Sequence, residues 1–230
     1  LVAYFIKKGE KNMSLPLLQV ALDNTSLEDA IESVRKYGHV IDIVEVGTIL
    51  HVAEGAKATS VLRQMYPDKI LLDDIKGADA GLVLADICFK AGADTMTAIC
   101  SADVNTMIAM KKVGKKYGEN RDVQVELYGD WTLEHAQSWL DAGINQVVYH
   151  RSRDAELAGK TWSDEDLEKI SNLIDMGFKV TVTGGLNIED LELFRGLAIH
   201  CVIAGRSIRD AKNPEAAALA FKEEIARIWG

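Results

Sequence analysis

The sequence predicts one (β/α)8 barrel, and three observations carry that prediction. Eight apolar runs of strand length recur along the 230 residues, each followed by an amphipathic stretch. That alternation builds a parallel sheet with helical crossovers. The runs are apolar almost throughout, as suits strands covered on both faces. Seven of the eight carry a polar side chain or a glycine at or near the C-terminal end, the end at which such barrels gather their sites. Eight units in roughly 215 residues match a compact barrel, with a doubly wound open sheet as the rival arrangement.

Taken in order, LLQVAL (17–22) is the first strand and runs into Asp23. SLEDAIESVRKYG follows as a helix that opens on Ser26, with Asp29 at the spacing of a capping box. DIVEVG (42–47) is the second strand and holds Glu45; KILLDD (69–74) is the third and ends in Asp73 and Asp74, with Lys76 just beyond. TMTAIC (95–100) is the fourth strand. VQVELY (123–128), the fifth, holds Glu126, and QVVYH (146–150), the sixth, ends in His150 and Arg151. SDEDLEKISNLIDMG reads as a helix capped by Ser163, with acids in its first turn and Gly177 as a left-handed stop. KVTVTG (179–184) ends in Thr183, Gly184 and Gly185, and CVIAG (201–205) ends in Gly205 and Arg206. NPEAAALAFKEEIARIW puts Pro214 in the first turn, which proline tolerates. About eight helices are expected. With three prolines and no Ser/Gly-rich linker, residues 13–230 read as one domain. LVAYFIKKGEKN (1–12) reads as an upstream extension, with Met13 the natural start.

Composition removes several classes of function. A hydrophobic share of 48% supplies a sizeable core. The net charge of −9 argues against a nucleic-acid partner, and an anionic ligand would then need a local positive pocket or a metal. Cys88, Cys100 and Cys201 are odd in number, far apart and without a CxxC spacing, so neither a disulfide nor a zinc site is expected. No apolar run approaches the roughly 20 residues that span a bilayer. A cytoplasmic protein without a membrane partner is the expectation.

The strand ends suggest the chemistry. TVTGG and IAGRS close strands seven and eight. Glycines there let backbone N–H groups approach an anion, and Arg206 can fork onto phosphate oxygens. Either loop alone reads equally well as a tight turn. Glu45 sits inside the apolar strand IVEVG, where a lone carboxylate is costly. It is therefore expected either to pair with Lys76 or to bind a metal with Asp74, one strand away. Carboxylate oxygens completed by water and substrate describe Mg²⁺. Asp23 is either a substrate contact or an acid that orients its neighbours. Lys76 is expected between Asp74 and Asp79, which would keep it charged and suit it to stabilise an oxyanion rather than form a Schiff base. Asp73 is expected to face the other side of its strand. His150, an imidazole at the end of strand six, can shuttle a proton. The other histidines carry no such case, and Trp131, Trp139 and Trp162 read as packing.

Asp74, Lys76 and Asp79 form a D-x-K-x-x-D motif on strand three. In this the chain resembles the orotidine 5′-phosphate decarboxylase suprafamily. Within it, Glu45 stands where orotidine phosphate decarboxylases carry a lysine, and YHRSRDAELAG replaces the H-T-G-x-D that follows strand six in hexulose 6-phosphate synthases. LPLLQVALD, DIVEVGTIL, QVVYHRSRDA, MGFKVTVTGGL and IAGRSIRDA resemble the 3-keto-L-gulonate 6-phosphate decarboxylase family over residues 13–230. The resemblance implies Mg²⁺ held by Glu45 and Asp74, Lys76 on the oxygens of a 1,2-enediolate, and proton delivery through water by Glu126, His150 and Arg153. It implies that Asp23, Asp74, Thr183, Gly185, Gly205 and Arg206 bind a sugar phosphate. Asp79 would reach a neighbouring subunit's site, making a homodimer with shared active sites. The family's activity would be decarboxylation to L-xylulose 5-phosphate in ascorbate or pentose utilisation. The alternative is aldol condensation of formaldehyde with D-ribulose 5-phosphate.

Overall fold

In a computed structural model that describes residues 14–230, the apolar runs become eight strands. They are β1 Leu17–Leu22, β2 Ile43–Val46, β3 Ile70–Gly77, β4 Thr95–Ile99, β5 Asp122–Leu127, β6 Gln146–His150, β7 Lys179–Thr183 and β8 Cys201–Ala204. The strands are parallel, follow sequence order, and close when β8 pairs with β1. The expectations for residues 1–12 and Met13 lie outside the described residues.

Ten α-helices wrap the described barrel: α1 Leu27–Val34, α2 Thr48–Glu54, α3 Ala56–Met65, α4 Gly81–Ala91, α5 Val104–Tyr117, α6 Leu133–Asp141, α7 Arg153–Leu157, α8 Asp164–Asp175, α9 Arg206–Arg209 and α10 Pro214–Trp229. A 3-10 helix, Ile188–Phe194, joins β7 to β8. The count exceeds the expected eight because the β2–β3 connection, the β6–β7 connection and the segment after β8 each hold two helices, while the β7–β8 connection holds the 3-10 helix and no α-helix. Between β2 and β3 the break falls at Gly55, whose φ of 62° ends α2 and starts α3.

Strand alternation separates two interiors. Leu18, Val20 and Leu22 of β1 face the helices in the main core, together with Val44 and Val46 of β2 and Val180 and Val182 of β7. Each side chain fully buried there contributes on the order of 2 kcal/mol. The opposite face turns into the barrel, where apolar packing is confined to two small clusters. Ile43, Leu72 and Cys201 form one; Ala21, Val148 and Ile203 form the other. Gln19, Thr97, Gln124 and Thr181 are also buried.

Helix starts follow the sequence closely. Ser163 and Asp166 complete a capping box on α8, and Gly177 follows with φ 102°. Pro214 opens α10. At α1 half of the expected box forms. The Ser26 hydroxyl accepts from the Asp29 backbone, but the Asp29 carboxylate takes the Ser26 hydroxyl proton (2.8 Å) rather than a backbone N–H.

The largest departure is in β3, expected to stop at Asp74 and observed to run to Gly77. Its register against β4 shifts between Asp73 and Gly77, and Lys76 adopts φ 48°. A non-glycine residue in that left-handed region costs on the order of 1 kcal/mol. The Lys76 backbone N–H donates to the Thr97 hydroxyl (2.9 Å), which anchors the bulge to β4. Bulges of this kind re-aim side chains next to sites. No helix among the described residues is long and apolar enough to cross a membrane.

Candidate active site

The C-terminal strand ends surround a cavity of about 330 Å³. Its lining includes Asp23, Glu45, Asp74, Lys76, Glu126, His150, Arg153, Thr183, Gly185, Gly205 and Arg206. Of the residues expected to bind or act in the site, Asp79 is the one outside that lining. It is exposed in the turn between β3 and α4. The ion-pair partners of Lys76 are Asp74 and Glu126, so the expectation that Asp79 flanks Lys76 within the chain is corrected. The bulge carries the chain past the lysine and leaves Asp79 on the rim.

Glu45 and Asp74 project inward from adjacent strands, each 5% exposed. Glu45 Oε2 accepts from Gln19 Nε2 (2.6 Å). The alternative of a direct Glu45–Lys76 ion pair is not realised; its hydrogen bond comes from Gln19 instead. Burial, and next the Asp74 carboxylate, push the Glu45 carboxyl well above its usual range. Asp74 is fully engaged: Oδ1 accepts from the Thr97 hydroxyl (2.8 Å), while Oδ2 accepts from the Thr48 hydroxyl (2.7 Å) and from Lys76 Nζ. Lys76 Nζ also donates to Thr48 (2.7 Å). Burial alone would lower the lysine's pKa, but Asp74, Glu126 and Glu45 outweigh it and raise it above the ordinary value. The ammonium is thus a fixed positive charge.

Asp73 points outward, as alternation requires. It is wholly buried against the helices, and its Oδ1 accepts from the Thr59 hydroxyl (2.7 Å), with His51 and Cys88 beside it. Burial raises its carboxyl to about 6, only partly offset by Thr59. Cys88, Cys100 and Cys201 are all free and buried.

Across the cavity, Glu126 is 3% exposed, and its Oε1 lies 3.6 Å from His150 Nδ1. Its Oε2 is 3.2 Å from Lys76 Nζ, an ion-pair distance, yet accepts no hydrogen bond of good geometry. Tyr128, at the end of β5, hydrogen-bonds through its hydroxyl to His150 Nδ1 (2.6 Å). The tyrosine backbone is tied at both polar groups to Cys100 Sγ.

The glycine loops form the remaining wall. Ser207 joins them by donating to Leu186 O (2.7 Å), and Arg151 braces them by donating to Gly184 O (2.6 and 3.0 Å). Gly185, at φ 62°, leaves open the space that a Cβ would occupy, and the Glu156 carboxylate of α7 fills it. The same carboxylate accepts from Arg206 Nη2 (2.5 Å). An anion therefore already rests between Gly185 and Arg206. After β1, the strand next to β8, the Asp23 carboxylate packs where Gly47 lacks a Cβ.

Gln19, Thr48, Thr97, Tyr128 and Glu156 were not singled out in the sequence. Gln19 had a usable signal, an amide at an interior position of an apolar strand. The others become visible only through contacts across strands or loops.

Taken together, the cavity has a carboxylate pair beside a fixed ammonium, a histidine on the far wall and an anion cradle at one end. The buried negative charge exceeds the positive charge near Glu45, which a divalent cation would offset.

The sequence matches the family described as "Orotidine 5'-phosphate decarboxylase / HUMPS family" over residues 16–221. A 3-keto-L-gulonate-6-phosphate decarboxylase of Salmonella paratyphi B is 57% identical over 218 residues, covering 95% of this chain and 100% of that protein. A crystal structure of KGPDC from Streptococcus mutans, determined as a ligand complex, is 51% identical. It superposes with a TM-score of 0.93 over 94% of this chain and 100% of the other. The 3-hexulose-6-phosphate synthase of Salmonella typhimurium is 27% identical, with a TM-score of 0.85 over 92% and 99% of the two chains.

Proposed function

The chain belongs to the orotidine 5′-phosphate decarboxylase / HUMPS family, and from that premise we propose that it decarboxylates 3-keto-L-gulonate 6-phosphate to L-xylulose 5-phosphate. The reading rests on one observation above others. Glu45 and Asp74 lie buried on neighbouring strands, and Asp74 pairs with the Lys76 ammonium on the same rim as the Gly185–Arg206 anion cradle. Identity of 57% to a curated decarboxylase of this substrate, against 27% to a hexulose phosphate synthase, favours the same choice.

The oxygen-only donor pair Glu45 and Asp74 fits Mg²⁺, with water and substrate filling the remaining positions. When bound, Mg²⁺ would supply Lewis-acid stabilisation of negative charge that develops on the substrate. The chain's own residues do the rest. Lys76 adds a fixed positive charge where the oxyanion grows as CO₂ leaves. Gln19, Thr48 and Thr97 hold the two acids in position. Arg206 and the glycine loops take the phosphate, which displaces the Glu156 carboxylate from its place. His150, with Glu126 and Arg153 beside the cavity, delivers a proton to carbon through water. Asp23 contacts the sugar, and Thr183 lines the face from which the proton arrives.

A homodimer completes the proposal. Asp79 is exposed next to α4, whose Leu82, Val83 and Ile87 are 56%, 61% and 45% exposed. A second copy covering that face would receive Asp79 at its own cavity.

The test is kcat/KM for both reactions on one preparation: CO₂ release from 3-keto-L-gulonate 6-phosphate, and formaldehyde condensation with D-ribulose 5-phosphate. The decarboxylation is expected to be the more efficient by at least tenfold. A more efficient condensation would make the chain a synthase.

A further inference from the structure

We propose that His51, Asp73 and Cys88 form a second metal site, outside the catalytic cavity, that takes a thiophilic divalent cation of the zinc class. The three residues lie on the helix side of the barrel, so the site is independent of the reaction proposed above.

Three elements meet there. Asp73 leaves the outward face of β3, opposite to Asp74, and is wholly buried. His51 comes from α2 and Cys88 from α4, both of which pack against β3. One ligand atom from each residue lies within 4.8 Å of the other two. His51 Nε2 and Cys88 Sγ are 3.9 Å apart. Zinc bonds of about 2.0–2.3 Å in a tetrahedron set neighbouring ligand atoms about 3.3–3.7 Å apart, so closing on a cation asks each atom to move by about 1 Å or less.

The carboxylate is prepared for such a bond. Its Oδ1 accepts from the Thr59 hydroxyl (2.7 Å), while the buried Oδ2 has no hydrogen-bond partner among the described residues. Leaving a buried acceptor unsatisfied is costly, more so for a charged group. Thr59 thus orients the carboxylate and leaves one oxygen to ligate, as groups behind a metal ligand do. His51 Nδ1 is also buried and without a partner among the described residues, so a ring flip can present either nitrogen. Thiolate and carboxylate supply two negative charges, which a divalent cation balances. With a neutral imidazole they make a sulfur, nitrogen and oxygen set that suits Zn²⁺, unlike the oxygen-only pair Glu45 and Asp74. The thiol gives its proton to solvent as the cation binds. A water completes the four positions. His51 is only partly buried, which gives the cation a way in. Once bound, it would pin β3 to α2 and α4 one residue before Asp74. Positions 51, 73 and 88 have no zinc-like spacing, and only the packing of two helices on β3 brings them together.

The experiment titrates Co²⁺, as a coloured probe for Zn²⁺, into the metal-free full chain with its cysteines reduced. Excess Mg²⁺ is present to fill the oxygen-only pair, which has no sulfur and so cannot give a thiolate-to-cobalt band. One equivalent of Co²⁺ is expected to raise a thiolate-to-cobalt charge-transfer band and the strong visible bands of tetrahedral Co²⁺. One equivalent of Zn²⁺ should bleach both. Cys88→Ser should abolish the charge-transfer band, Cys201→Ser should keep it, and Asp73→Asn and His51→Gln should each weaken Co²⁺ binding at least about tenfold. A wild-type chain without a thiolate band in excess Co²⁺ overturns the site. So does a band that survives Cys88→Ser, or one of unchanged affinity in both Asp73→Asn and His51→Gln. Should Cys88→Ser fail to fold, the wild-type titration and the other two variants decide. CO₂ release enters none of these readouts, so loss of the decarboxylase reading would leave the site standing, and the reverse holds.

Discussion

Glu156 shows what a single side chain reveals at this site. Its carboxylate rests in the gap that Gly185 leaves and on the Arg206 guanidinium, so the cradle's affinity for an anion is visible without a ligand. On the proposed function it would also compete with a substrate phosphate. Removing that charge with Glu156→Gln should lower KM for the phosphorylated substrate several-fold, by an amount read from steady-state kinetics; an unchanged or higher KM would mean that the phosphate binds elsewhere. Other residues differed in how openly they announced themselves. Glu45 was legible because a carboxylate inside an apolar strand demands an explanation. Asp74, Lys76 and His150 were legible because they end strands. Tyr128 and Glu156 were not, since a tyrosine after a strand and a glutamate on a short helix have many ordinary uses. Their partners, His150 and Arg206, are 22 and 50 residues away, and only closure of the barrel makes them neighbours.

At the scale of elements, periodicity located every strand. It could not see the β3 bulge, which depends on how Lys76 and Thr97 bond across two strands. That bulge moves Asp79 out of the cavity. The helix caps were better announced. Asp166 accepts from the Ser163 backbone N–H (2.9 Å) and from the Tyr149 hydroxyl (2.7 Å), tying the start of α8 to the end of β6. These bonds outweigh the opposing effect of partial burial and hold its carboxyl below the ordinary value. A carboxyl depressed in the folded state contributes stability above its unfolded pKa and loses it as pH falls through the folded one. Asp166→Ala should therefore cost about 1 kcal/mol at pH 7, since its hydrogen bonds are partly screened by solvent, with the gap from wild type narrowing below about pH 4. Denaturant melts across that range test it, and a gap independent of pH would refute the assignment.

For the molecule as a whole, the barrel was legible in the sequence because eight buried strands in order admit few topologies. A dimer rests on the family resemblance rather than on a pattern in the chain, because an exposed apolar helix face has no periodic signature of a partner. If Asp79 works across a dimer, mixing Asp79→Asn and Lys76→Ala subunits should restore activity, since one of the two sites in each mixed dimer would be intact. No recovery after proven subunit exchange would place Asp79 in its own chain's site. The central claim concerns the cation held by Glu45 and Asp74 beside Lys76. It is tested most directly by CO₂ release from 3-keto-L-gulonate 6-phosphate before and after removal of divalent metal. Release should vanish in excess EDTA and return with added Mg²⁺; full turnover in EDTA would contradict it.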